Sequence, residues 1–248
     1  MSKLVENDVL NGLNQDNLDI YFFKTIDSTN VFARKTQLNK PFLIVLAEQQ
    51  TAGKGRHGKT WHSPRSGNIY LSIKYQAASM VPALSLIIGL LIAEALDETS
   101  GQKINAQLKW PNDVLLENKK ISGILIESEM QQENLELTIG IGINYSIPKK
   151  ESWWGDLGNL RDILPREQLI NTILKKIIAF KEHSYSDWQQ AWENRCMHQN
   201  LEINIQTNSH TQIVGIFRGV DNEGKMLLET INGAQAISSG ECSITGLY

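Results

Sequence analysis

Gly53-Lys54-Gly55-Arg56-His57-Gly58-Lys59-Thr60-Trp61 is the stretch on which the fold assignment turns. Glycine lets the backbone approach a ligand closely and adopt positive φ. Backbone N–H groups beside Lys and Arg make an anion site. Two short patterns are satisfied at once: Gly53-x4-Gly58-Lys59-Thr60 fits a P-loop, and Gly53-x-Gly55-x-x-Gly58 fits a dinucleotide fingerprint. A P-loop requires a helix to begin at its Gly-Lys-Thr, because the helix N-terminus holds the phosphates. Here Pro64 and Ser66-Gly67 follow, and a helix interior does not tolerate that punctuation. No Asp or Glu lies between Glu48 and Glu94. That removes the Mg²⁺-binding acid of the first pattern and the ribose-binding acid, about 20 residues on, of the second. A charge run is ordinarily a solvated surface, but these cations alternate with glycine rather than with helix formers. The segment therefore reads as a cationic loop that meets an anionic ligand with several charges.

The flanking segments read as a mixed α/β domain. Residues 3–13 are weakly helical and 18–24 form a strand. Asp27-Ser28-Thr29-Asn30 opens a helix over 31–38, with four consecutive residues able to cap it. One cap suffices, so the spare hydroxyls and amide are either redundant or face a polar ligand. Residues 42–47 are a continuous apolar run suited to a central strand. Residues 68–75 alternate, with Ile69, Leu71, Ile73 and Tyr75 on one face and Asn68, Tyr70, Ser72 and Lys74 on the other, which predicts a half-buried strand. A helix over 80–98 follows, then strands at 106–110, 114–117, 120–129 and 135–144. Within the last, the isoleucines of Ile139-Gly140-Ile141-Gly142-Ile143-Asn144 share one face and the glycines the other. Such a bare face admits a ligand, another backbone or a tightly packed helix. Residues 151–163, with Trp153 and Trp154, form a loop. Helices are expected at 166–182 and 186–199. Strands crowd together at 202–206, 212–220, 225–229 and 234–238, and predict a small barrel-like domain. The domain division is thus 1–200 and 201–248.

At 248 residues the chain accommodates one large domain and a small one. A net charge of −3 gives no global footprint for nucleic acid. Cys196 and Cys242 show no metal-ligand spacing and read as packed thiols suited to a reducing cytosol. No charged start precedes an apolar segment, so no signal peptide is visible. The most apolar stretch, 83–96, is shorter than the ~20 residues that span a bilayer and contains Glu94.

Four ordered blocks then stand together: Asp27 to Asn30, Gln50 to Trp61, Lys109-Trp110-Pro111-Asn112-Asp113-Val114 continuing through Lys119-Lys120-Ile121-Ser122-Gly123 to Glu127, and Gly140 to Asn144. With the C-terminal stretch Gly215 to Glu229, they resemble the biotin protein ligases. The resemblance covers roughly residues 18–245. One departure is visible, since Lys54 and Lys59 stand where that family commonly has Arg. Charge is kept, but the bidentate grip of a guanidinium is lost.

The resemblance implies an α+β fold: a mixed-sheet catalytic domain of the class II synthetase-like type and a C-terminal SH3-like β-barrel. It implies that biotin and MgATP give biotinyl-5′-AMP and pyrophosphate, and that the adenylate biotinylates a lysine of a biotin carboxyl-carrier domain of acetyl-CoA carboxylase or a related carboxylase. Arg56, Lys109, Lys120 and Asp113 are the catalytic candidates. The three cations suit a reaction that brings a carboxylate to a phosphate. Asp113 is read as a metal-positioning group, a proton acceptor for the lysine amine, or a structural turn residue. Ser28, Thr29, Asn30, Gln50, Lys54, Gly55, Arg56, Lys120, Trp61 and Gly123 are the biotin-binding candidates, and Lys59, Lys109, Asn112 and Asn144 those for ATP. Trp153 or Trp154 is the candidate for adenine stacking. No dedicated metal site is expected, Mg²⁺ arriving on the ATP phosphates. A cytoplasmic monomer or weak homodimer, acting on neither DNA nor membrane, is expected. The alternatives are a lipoate or octanoate ligase on the same fold, a non-catalytic biotin-binding module and a P-loop NTPase.

Overall fold

The computed structural model describes residues 4–148, 151–182, 185–206 and 211–243. Seven strands, β1 (Leu18–Phe23), β2 (Phe42–Ala47), β3 (Ile69–Ala77), β4 (Gln107–Lys109), β5 (Asp113–Leu116), β6 (Lys119–Gln131) and β7 (Asn134–Ile143), form one sheet in the order β1-β2-β3-β7-β6-β5-β4. Only β1 and β2 run parallel; every other pairing is antiparallel. The sheet is mixed, as expected. Three further elements, α1 (Glu6–Val9), α2 (Thr29–Lys35) and α3 (Leu84–Ser100), belong to this half of the chain. α4 (Arg166–Glu182) and α5 (Trp188–Glu193) follow it. The weakly helical stretch at 3–13 is reduced to the single turn of α1, and Lys3 lies outside the described residues.

The sheet is covered on both faces. On one, α3 is apolar nearly all round, with Leu86, Ile88, Leu90, Ile92, Ala93 and Leu96 among its buried residues. A helix that is apolar on every side has neighbours on every side: β4, β5 and β6 beneath, α4 and α5 around it. Ile69, Leu71, Ile73 and Tyr75 share this core. On the other face, α2 lies over β2, β3 and β7. The polar side of β3 is therefore not solvated, and the strand is buried from Ile69 through Tyr75 rather than half-buried. Ser72 meets the start of α2 through Thr29 Oγ1 (2.8 Å) and Asn30 Oδ1 (2.5 Å). Lys74 meets its end, donating to the carbonyls of Arg34 (3.0 Å) and Thr36 (2.9 Å). Burial of a polar side chain is tolerable where its hydrogen bonds are made.

Beyond α5 the predicted helix 186–199 is cut short. Its C-terminal half is a run of turns ending at Asn200, whose φ is +60°. The second sheet is antiparallel, with β8 (Glu202–Gln206), β9 (Gln212–Val220), β10 (Met226–Thr230), β11 (Gly233–Ile237) and β12 (Glu241–Ser243) in the order β11-β10-β9-β8-β12. Among the described residues it is an open five-stranded sheet and not a closed barrel; residues 244–248 lie outside them. β12 was not foreseen. Ile203, Ile205, Phe217, Met226 and Leu228 join the core of the larger sheet. The two sheets are also stitched by polar bonds. Trp110 Nε1 donates to the Gly224 carbonyl at 3.0 Å, and the Glu193 carboxylate accepts the Val220 N–H at 2.9 Å.

Candidate active site

The glycine face of β7 forms the floor of a cavity of about 550 Å³. Gly123 of β6 is paired with Gly142 of β7, and Gly140 lies opposite Ser72. A methyl group at Gly140 would overlap the Asn30 carboxamide, and one at Gly142 the Trp61 indole; at Gly123 it would come within 2.9 Å of the same ring. The packed-helix reading of the bare strand applies at Gly140, and a side chain that the sequence did not indicate lies over the other two glycines. Gly140 receives the helix α2, and Gly123 and Gly142 receive an aromatic side chain from the glycine-rich loop.

That loop is a small hairpin. Gly55 N–H donates to the Lys59 carbonyl (2.7 Å) and Trp61 N–H to the Gly53 carbonyl (3.0 Å). A single tight turn at Arg56–Gly58 caps it, with His57 and Gly58 both at positive φ (53° and 75°). No helix starts at Gly58, which removes the structural context a P-loop needs. The chain continues instead through an irregular stretch, with bends at 65–67, to β3.

Three cations converge from three elements. Arg56 reaches in from the loop, its Nη1 donating to Asn112 Oδ1 at 3.1 Å. Asn112 is itself held, donating through Nδ2 to the Ile124 carbonyl at 2.7 Å. Lys120 stands at the start of β6 and pairs with Asp113 Oδ1 at 2.7 Å; its ammonium is 5.5 Å from the Trp61 ring centre. Lys109, at the end of β4, is buried. Burial pushes its ammonium below the usual lysine range, opposed chiefly by the charge of Asp113. Desolvation likewise lowers the Arg56 guanidinium, against Asp113 and Glu241. A cation that loses its water gains from an incoming anion, since the charged form is what burial disfavours. The cavity contains two carboxylates, Asp113 and Glu241, and a lysine meets each: Lys120 and Lys59 respectively.

The opposite end is polar but uncharged. Ser28 caps α2 through Oγ and the Val31 N–H (3.5 Å). Gln50 Oε1 accepts from Thr29 N–H at 2.8 Å, and Gln50 Nε2 donates to Ser63 Oγ at 3.0 Å. The Asn30 carboxamide is engaged at both ends, Oδ1 with Ser72 and Nδ2 with Glu127 Oε2 (3.0 Å). The buried indole N–H of Trp61 has no acceptor among the described residues.

Every residue singled out from the sequence lines this one cavity: Ser28, Thr29, Asn30, Gln50, Lys54, Gly55, Arg56, Lys59, Trp61, Lys109, Asn112, Asp113, Lys120, Gly123 and Asn144. Asn144 spends its Nδ2 on the carbonyls of Lys120 and Gly155, which ties the 151–157 loop to β6. Trp153 and Trp154 meet edge to face at the rim, and Trp154 stacks on His62 (5.7 Å, 23°). The sequence did not reveal the wall made by Gly240, Glu241 and Cys242. Glu241 forms its ion pair with Lys59 across 182 residues, and no local pattern signals such a contact. Burial pushes the Cys242 thiol up to about 11, so it stands protonated at neutral pH.

A bare-floored cavity with desolvated cations at one end and a small amide-and-hydroxyl pocket at the other defines a class: ligases that activate a carboxylic acid with a nucleotide. Within that class, the chain belongs to the biotin protein ligase family. Residues 22–144 match the biotin/lipoate A/B protein ligase family, and residues 200–244 match the biotin protein ligase C terminal domain. The chain is 31% identical over 234 residues to the bifunctional ligase/repressor BirA of Escherichia coli, covering 88% of this chain and 72% of that one. It is 29% identical over 243 residues to a biotin–[acetyl-CoA-carboxylase] ligase of Paracoccus denitrificans, covering 89% and 98%. The biotin protein ligase of Aquifex aeolicus, solved in complex with biotin and ATP, superposes with a TM-score of 0.71 at 27% identity, covering 92% and 97%.

Proposed function

We infer that the chain is an ATP-dependent biotin–protein ligase that biotinylates a carrier-domain lysine in two steps. In the first, a carboxylate oxygen of biotin bonds to the α-phosphorus of ATP. The bond to the β-phosphate bridge breaks, and pyrophosphate leaves with its electron pair. In the second, a neutral lysine amine attacks the acyl carbon of biotinyl-5′-AMP, AMP departs, and the amine loses a proton. Both steps gather negative charge at one point, where preorganised cations act most strongly in a dry site.

The observation that carries this reading is the convergence of Arg56, Lys109 and Lys120 on one cavity that also presents the uncharged hydrogen-bonding groups of Ser28, Thr29, Asn30 and Gln50. Arg56 and Lys120 are proposed to grip the carboxylate and the forming anhydride, and Lys109, Asn112, Lys59 and Asn144 the nucleotide. Ser28, Thr29 and Gln50 are proposed to receive the ureido ring, with Asn30 beneath them as a support. Trp61 and the loop from Lys54 to Lys59 would exclude water from the anhydride. Among the described residues no cluster of His, Cys, Asp and Glu is assembled to hold a metal. Mg²⁺ is proposed to arrive on the phosphate oxygens of ATP, where it would neutralise charge, with Asp113 as the carboxylate that would position it. The acceptor is proposed to be the biotin carboxyl-carrier domain of a carboxylase, and the setting the cytoplasm, where ATP is supplied. No helix of the described residues is long and apolar enough to cross a membrane.

Exchange of labelled pyrophosphate into ATP tests the reading. Exchange is expected with biotin added. Exchange with lipoate alone reassigns the acid, binding of biotin without exchange reduces the protein to a binding module, and ATP hydrolysis that needs no acid restores the NTPase alternative.

A further inference from the structure

Between the surface and the pocket for the ureido ring runs a chain of polar side chains whose protons can be counted. It begins at Glu127 on β6, which Arg34 of α2 holds through Nη1 (2.6 Å) while also engaging Glu129. It continues through Asn30, Ser72 and Thr29 to Gln50. Both ends have a fixed sense. A carboxylate only accepts, so Glu127 Oε2 orients the Asn30 amide with Nδ2 towards itself and Oδ1 towards Ser72. At the other end, Ser63 gives its proton to the Trp61 carbonyl (2.9 Å) and must accept from Gln50 Nε2. That leaves Gln50 Oε1, already accepting the Thr29 N–H, facing Thr29 Oγ1.

Between the Asn30 and Gln50 oxygens there are three gaps: Asn30 Oδ1 to Ser72 (2.5 Å), Ser72 to Thr29 (2.8 Å) and Thr29 to Gln50 Oε1 (3.0 Å). Two hydroxyls supply two protons. Two oxygens at 2.5 Å must share one, so Ser72 donates to Asn30. Thr29 gives its proton to Gln50 Oε1 (3.0 Å), but Ser72, whose own proton is committed, offers it a second acceptor at 2.8 Å. Turning to Ser72 costs Thr29 no hydrogen bond and leaves the widest gap without a proton. Thr29 Oγ1 and Gln50 Oε1 then stand side by side as two acceptors, and both line the cavity. That arrangement calls for an N–H from a ligand.

We propose that Glu127, held by Arg34, is a positioning residue for the acid-binding pocket: it commits the Ser72 proton to Asn30, and so leaves Thr29 free to turn to Ser72 and open itself and Gln50 as paired acceptors. The proposal rests on the ligase reading above, in which those acceptors meet a ureido N–H. Glu127 touches no substrate; it acts through three intervening side chains.

The near-isosteric change Glu127→Gln reverses the chain. Its oxygen stays on Arg34 and its NH₂ turns to Asn30, whose amide flips and donates to Ser72. Three protons then fill three gaps, and the acceptor pair is consumed. Biotin-dependent pyrophosphate exchange is expected to show KM for biotin raised roughly tenfold (~1.4 kcal/mol), with KM for ATP within about twofold. Glu127→Asp, which still only accepts, should recover most of the biotin affinity. Ser72→Ala cuts the same chain and keeps the Thr29 proton on Gln50, so it should raise KM for biotin similarly. If Glu127→Gln does not fold, Ser72→Ala and Glu127→Asp decide the matter. The double variant should be no worse than either single one, since both interrupt one path. Unchanged KM for biotin in Glu127→Gln or Ser72→Ala, equal rises for biotin and ATP, or multiplied effects in the double variant would each overturn the proposal and leave the ligase reading intact. No biotin-dependent exchange in the unaltered protein would overturn both.

Discussion

At Gly142 a single methyl group decides whether Trp61 can lie in the groove, because a Cβ there would overlap the indole. The atoms it would meet belong to a side chain and not to backbone. Gly142→Ala should therefore fold with stability within ~1 kcal/mol of the parent, as expected of a change whose strain a mobile side chain relieves. It should raise KM for biotin roughly tenfold, about 1.4 kcal/mol of lost binding. Normal biotin affinity in this variant would show that Trp61 need not lie in the groove. The alternation of isoleucine and glycine made the bare face legible from the sequence. What occupies it was not legible, since neither Asn30 nor Trp61 is near β7 in the chain. The same limit applies to Asp113: its residue type was read as one of three roles, and only the packing of β5 against β6 places it 2.7 Å from Lys120.

α2 is a seven-residue rod with different tasks at its ends. Its N-terminus carries Ser28, Thr29 and Asn30 to the cavity. Its C-terminal carbonyls are held by Lys74, which is only 2% exposed and pairs with Glu136 at 2.6 Å. A cation at a helix C-terminus also complements the macrodipole. Lys74→Met keeps the apolar stem but leaves Glu136 buried without its partner, and two carbonyls without a donor. Breaking one side of a buried pair typically costs about 3–5 kcal/mol. Urea unfolding should show a loss of that size with an unchanged slope; a loss below ~1 kcal/mol would mean that Lys74 does not anchor the helix. The alternation at 68–75 was read as a solvated polar face because period-2 patterns ordinarily mean that. β3 departs from the rule because its polar residues are the anchor points of a helix. The core strands were read to within a few residues, since apolar runs and turn residues are local signals. β12, three residues long, carries no such signal.

At the scale of the whole molecule, a histidine is buried where α5 packs on the second sheet. His198 is fully buried beside Trp192 and edge-on to Phe217 (4.4 Å), with neither ring nitrogen bonded among the described residues. Burial, with a smaller contribution from the charge of Lys109, pushes its pKa down to about 3. The unfolded chain takes up a proton near pH 6.5 and the folded one does not, so between about 6.5 and 3 the unfolded state binds more protons. Stability therefore falls as pH falls through that window. From pH 6.5 to pH 5 the loss from this group should be about 1.6 kcal/mol. His198→Leu should flatten the dependence by that amount in urea unfolding at the two pH values; an unaltered slope would show that His198 is protonated in the folded protein. Nothing in the sequence marked this residue, because its environment is built by α5 and β9 together. The wall contributed by Gly240, Glu241 and Cys242 is equally non-local, and its position has a consequence for how the protein matures. The residues of the seven-stranded sheet, the glycine floor and all three cations precede this wall in the chain, so synthesis supplies them first. Contacts across such separations are slow to form. The side of the cavity that meets Lys59 is thus expected to close last.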